Sequence, residues 1–136
     1  MAVNINDLDK SPSGARAPDN PPYRPPFRLK GFLAPGVVIP ANDTNGVVVN
    51  ILGSGRIRLV VLVSAAGTLT AKFRLADHLT NQALNQPATV ALVAATENIL
   101  DIVNNQGYGY LEVTIVNGAG ASTVSYVDVF MTKEGN

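Results

Sequence analysis

Neither cysteine nor tryptophan occurs in this chain, and His78 is its one histidine. Without thiols there is no disulfide framework and no thiolate metal site. Without tryptophan the strongest stacking platform for a sugar ring is missing, which argues against a glycoside hydrolase. Charged residues make up 15% of the chain, well under the roughly 25% of an average soluble protein. The formal net charge is zero, so binding by broad phosphate neutralisation is not expected, nor any direct nucleic-acid partner. The longest strictly apolar run, Leu59 to Val63, is far too short to span a bilayer as a helix. The start, Met1-Ala2-Val3-Asn4-Ile5-Asn6-Asp7, lacks the basic and apolar regions of a signal peptide. Synthesis in the cytoplasm without Sec export is therefore expected.

Proline is unevenly spread. Eight of the nine prolines precede residue 41, and only Pro87 follows it. Proline fixes φ and removes an N–H donor, so Ser11 to Arg28 is expected to run as a stiff extended segment, neither helix nor central strand. Residues 1–40 read as an extended N-terminal arm that takes no share of the core, and 41–136 as a β-domain. Three of the eight aromatics lie in the arm, where a solvated linker would avoid them. Tyr23, Arg24, Phe27, Arg28 and Phe32 are the expected partner-binding residues of a docked arm. Five cations against three carboxylates in the first thirty residues give it only a weak basic bias.

From residue 41 onward short β-branched runs alternate with Gly, Asn and Ser. Asn42-Asp43-Thr44-Asn45-Gly46 predicts a turn, followed by strands over 47–52, 56–64, 68–76, 89–95, 98–103, 108–116 and 122–131. Leu69, Ala71, Phe73 and Leu75 against Thr68, Thr70, Lys72 and Arg74 give the clearest alternation. Seven to eight strands with regular turn signals predict an all-β fold, an antiparallel β-sandwich or jelly roll.

Motifs of chemistry are sparse. A Ser–His–acid set needs a base within reach of the hydroxyl, but His78 and Asp77 are sequence neighbours whose side chains diverge in a strand. Asp77, Glu97, Asp101, Glu112 and Asp128 contain no spacing that singles out a glycosidase pair. The residues 42–46 alternate oxygen ligands but lack the calcium-loop length and its terminal Glu. Gly53-Ser54-Gly55-Arg56 is not a phosphate loop. No catalytic residue, metal ligand or cofactor is expected, and the protein is not expected to be an enzyme. Arg56, Arg58, Lys72 and Arg74 would form a basic patch if their strands paired. Val60, Leu62, Val124, Tyr126 and Phe130 interrupt the polar outer alternation, and Tyr108 and Tyr110 fall on one side of a strand. Val60, Leu62, Tyr108, Tyr110, Tyr126 and Phe130 are thus the candidate interface. Burial between identical subunits around a two- or three-fold axis would cover them.

The run from Tyr110 through Val116-Asn117-Gly118-Ala119-Gly120-Ala121-Ser122 to Phe130 resembles the closing hairpin of small β-sandwich virion proteins of tailed bacteriophages. Ser54-Gly55-Arg56-Ile57-Arg58-Leu59-Val60-Val61-Leu62-Val63 with Gly67-Thr68-Leu69-Thr70 resembles their early hairpin. The resemblance implies a structural role on the virion, as a capsid decoration (cement) or head-fibre protein. Its partner would be the major capsid protein or another virion protein, and it would assemble as a trimer or dimer. A receptor- or carbohydrate-binding module of a phage fibre or tail is the alternative.

Overall fold

A computed structural model describes residues 3–9, 26–74, 88–104 and 107–133. Ten strands occur among them: β1 (Val3–Asp9), β2 (Phe27–Arg28), β3 (Val38–Ile39), β4 (Thr44–Asn50), β5 (Ser54–Val63), β6 (Gly67–Arg74), β7 (Ala88–Leu92), β8 (Asn98–Val103), β9 (Tyr110–Asn117) and β10 (Ser122–Lys133). They form two sheets packed as a sandwich. Sheet A has the order β1-β4-β9-β6-β7, and sheet B the order β2-β10-β5-β8, with β3 also pairing β10. All pairings are antiparallel except β1 on β4, which is parallel.

Alternation makes the core. Ile57, Leu59, Val61 and Val63 of β5 meet Leu69, Ala71 and Phe73 of β6 and Leu111, Val113 and Ile115 of β9 in one buried cluster. The polar partners of these residues fall on the outer faces because successive strand side chains point opposite ways. In β10 the phase slips once. Val124 lies opposite Val63 and Tyr126 opposite Leu62, so Ser125 is an extra residue, a β-bulge. Val124 is therefore buried together with Val127 and Val129, while Tyr126 turns outward. The expectation that Val124 shares an outer face with Tyr126 and Phe130 is corrected by this single inserted residue.

Two further expectations change. β5 and β6 lie in different sheets, as do β9 and β10. The turns at 64–66 and 118–121 are therefore arches across the sandwich and not hairpins. A short Gly/Ala turn between alternating strands looks the same in sequence either way. The predicted turn at Asn45-Gly46 lies inside β4 instead, and the reversal comes earlier, at Asn42 with φ 64°.

Residues 26–40 are also part of the sandwich. Leu29, Leu33 (in a 3-10 turn, Gly31–Leu33) and Ile39 have no solvent exposure and belong to the core cluster. Leu29 N–H donates to Val127 O, Gly36 N–H to Val124 O, and Val124 N–H to Val37 O. The segment thus follows β10 as a broken edge strand, with Pro35 between its bonded stretches and Pro40 at its end. This corrects the expectation that the arm takes no share of the core, at least from residue 26 onward.

Candidate functional site

The outer face of sheet B carries three exposed apolar side chains, Ile99, Val103 and Phe130. Its rows follow from the register. Val60 of β5 stands between Ile99 of β8 and Asp128 of β10, which in turn faces Arg28 of β2. One row on, Arg58 stands between Asp101 and Phe130, and beyond it Arg56 stands between Val103 and Thr132. Ile99, Val103 and Phe130 are 49%, 54% and 39% exposed. A shallow groove of about 570 Å³ runs across these rows, from Pro26 past Phe130 and Val60 to Ile99 and Val103.

Arg28 and Arg58 on this face are matched by carboxylates, and Arg56 adds an exposed cation beside them. Arg58 donates through Nε to Asp101 Oδ1 at 2.7 Å and through NH2 to Oδ2 at 3.1 Å. Arg28 grips Asp128 in the same two-pronged way, at 2.7 and 3.0 Å. Fork-to-carboxylate pairing of this kind fixes geometry as well as charge. The Asp101 pKa is lowered, chiefly by its hydrogen bonds from Arg58. The Arg28 guanidinium also lies 4.7 Å from the centre of the Tyr126 ring, a cation–π contact. The Tyr126 hydroxyl donates to Glu97, and this bond, followed by desolvation, raises the tyrosine pKa. The face presents apolar strips separated by two neutralised pairs, with Arg56 exposed at its end.

Of the expected interface residues, Val60, Leu62, Tyr126 and Phe130 all lie on this face, Val60 and Leu62 half-buried. Tyr108 and Tyr110 are separated from them and from each other. Tyr108 stacks on Phe73 with ring centres 4.7 Å apart and packs against the core. Tyr110 stands opposite Asn50 and Arg74 in sheet A, out of phase with buried Leu111. Of the expected arm residues, Phe27 packs against the core, Arg28 holds Asp128, and Phe32 is 40% exposed. Tyr23 and Arg24 lie outside the described residues, as do Asp77 and His78.

The basic patch does not form: Arg56 and Arg58 are in sheet B, Lys72 and Arg74 in sheet A. Arg74 is instead buried and bonded to Glu112 at 2.5 Å. No group of three or more potential metal ligands occurs among the described residues.

Sequence reasoning missed Asn104 and Asn117. Asn104 donates to Ser54 O and Tyr108 O and accepts from Tyr108 N–H. Asn117 donates to the carbonyls of Ile39, Pro40 and Gly120. Each pins an irregular segment beside a strand end, and each reads in sequence as an ordinary turn residue.

No protein-family model matches the chain, and no curated protein matches it. Among solved structures, tripeptidyl peptidase 2 is similar over 91% of this chain, with a TM-score of 0.57 and 12% identity. The match covers 10% of the peptidase, so this chain spans about a tenth of that protein's length, and the likeness is one of fold. The enzymatically active domain of tailspike protein 4 of bacteriophage CBA120 aligns over 79% of this chain and 18% of its own, at TM-score 0.47 and 13% identity.

Proposed function

We propose that this chain is a non-enzymatic structural protein of a bacteriophage particle, a decoration protein that binds the head lattice and stabilises it. The observation that carries the reading is the outer face of sheet B. Ile99, Val60 and Phe130 form an apolar groove there, flanked by two arginines, Arg28 and Arg58, that already hold carboxylates. Burying such a face removes apolar surface from water while both pairs keep their own partners, which favours protein–protein docking. The sequence resemblance to phage sandwich proteins supplies the class of partner, the major capsid protein. Tyr23 and Arg24 add contacts from the arm.

Co-sedimentation with assembled phage heads tests the reading. The full chain is expected to pellet with the heads, and Phe130→Lys to remain in the supernatant while keeping its fold. A full chain that never pellets overturns it. The alternative, a receptor or glycan module on a fibre, needs an exposed aromatic platform, for which Tyr108 and Tyr110 would be the candidates. Stacking of Tyr108 on Phe73 takes one ring away from such a platform.

A further inference from the structure

Sheet B ends at β8, and among the described residues β8 pairs with β5 alone. The hydrogen-bond phase of that ladder is fixed by one bond beyond its end, Asn104 N–H to Gly55 O at 2.8 Å. In an antiparallel ladder bonded and non-bonded pairs alternate. Asn98, Leu100 and Ile102 therefore bond to β5, while Ile99, Asp101 and Val103 turn their N–H and C=O groups to the edge that no described strand pairs. Those same three residues carry the outward side chains, two of them apolar and half-exposed. Native edges are usually blunted by proline, a bulge or an unmatched charge. Here the one edge charge, Asp101, is neutralised by Arg58, and β8 has no proline and no register shift against β5.

The sequence of this edge also matches itself in reverse. Ile99-Leu100-Asp101-Ile102-Val103 reads aliphatic, aliphatic, Asp, aliphatic, aliphatic from either end. We propose that two copies of this chain join β8 to β8 in antiparallel register about a two-fold axis through Asp101, making one continuous sheet from two sheets B. Ile99 then faces Val103 of the second copy on the outer surface, and Leu100 faces its Ile102 on the inner one. The bonding residues fall opposite one another in this register, as the ladder requires. The two Asp101 carboxylates meet at the axis, each held by its own Arg58. Ile99 and Val103 also line the groove, so the two surfaces meet at β8; Phe130, two strands in from the edge, belongs to the groove alone and separates dimer formation from head binding.

Sedimentation velocity between low micromolar and high micromolar concentration is the first measurement. The full chain is expected to shift from monomer to dimer, and Ile99→Lys and Val103→Lys to stay monomeric. Both positions are half-exposed, and matching far-UV circular dichroism checks that the variants fold. Phe130→Lys, on the same sheet but away from the edge, is expected to dimerise like the unmodified chain. Amide exchange followed by NMR supplies the second measurement. The N–H groups of Asp101 and Val103 should become protected as concentration rises, while those of Leu100 and Ile102 are protected throughout. A monomer at every concentration overturns the proposal. So does a dimer that survives both lysine variants, or one that Phe130→Lys abolishes.

Discussion

The two margins of this sandwich are finished in opposite ways. On one side β1 adds to β4, and residues 26–40 run down β10 with Leu29, Leu33 and Ile39 fully buried. Asn4 donates to Asn45 at 3.1 Å, and Asn45 donates to Phe32 O at 3.1 Å, so β1, β4 and the 3-10 turn are tied together. On the other side β8 pairs, among the described residues, with β5 alone, and Ile99 and Val103 are half-exposed. A sheet edge is a row of unmet donors and acceptors, and a chain either covers it or uses it. Pro26, Pro35 and Pro40 suit this segment to covering, because each removes one N–H that would otherwise need a partner at the margin.

The sharpest way to break this comparison is to remove equal apolar bulk from each margin. Leu33→Ala at the covered margin is expected to cost about 2–5 kcal/mol, the range for a fully buried leucine whose cavity cannot collapse. Ile99→Ala at the open margin should fall within about 0.5 kcal/mol of the unmodified chain, as surface changes do. Urea unfolding at a concentration low enough to keep the chain monomeric measures both. A loss at Leu33→Ala of only about 0.5 kcal/mol, the size of a surface change, would mean that residues 26–40 lie on the sandwich without contributing to its stability.

A smaller effect is expected at Asn117, which fastens the covered segment through a polar group. Its amide serves Ile39 O at 2.9 Å, Pro40 O at 3.1 Å and Gly120 O at 2.7 Å. Asn117→Ala leaves those carbonyls without that donor, and a buried polar group left unmet costs about 1–3 kcal/mol. Unfolding midpoints give the size. Faster amide exchange at Val124 and Gly36, which bond the segment to β10, would place the damage at β3. Exchange that speeds up uniformly would instead show a loss of global stability with no local fastening role.

How much of this was legible in the sequence depends on what the residues had to specify. The run Asn98 to Val103 is bounded by turn residues on both sides, and the strand is found at those residues. Gly67 to Phe73 alternates so cleanly that Leu69, Ala71 and Phe73 follow as buried, but Arg74, expected on the polar side, is buried as well because it pairs with Glu112. Leu69 gives no hint, however, that its neighbours are β7 and β9 and not β5, because strand order is decided by contacts distant in the chain. The bulge at Ser125 is one residue in a composition that hardly changes, yet it reverses which side Val124 faces. Leu29, Leu33 and Ile39 were hidden by the prolines around them, which spoil the pattern of a strand without preventing burial. Of the candidate site, Val60, Leu62, Tyr126 and Phe130 were visible as breaks in alternation. Ile99 and Val103 were not, because an apolar β8 reads equally well as a strand covered on both faces.

The least costly way to sharpen the comparison uses the two forked ion pairs, one at each margin. Arg28–Asp128 joins β2 to β10, and its aspartate side chain is only 20% exposed. Arg58–Asp101 joins β5 to β8 with both partners more than half exposed. Solvent screens the second pair far more, so Asp128→Asn is expected to lower stability more than Asp101→Asn. The weaker pair still carries a pH signature. Hydrogen bonds from Arg58 lower the Asp101 pKa in the folded chain. Its contribution is therefore fully present above the unfolded aspartate pKa of about 4 and is lost as pH falls through the lower folded value. The difference in unfolding midpoint between the unmodified chain and Asp101→Asn should stay constant from neutral pH down to that point and then close. A difference that persists unchanged into strong acid would show that the substitution acts through packing on β8, and the open margin would then be held by more than its one compensated charge.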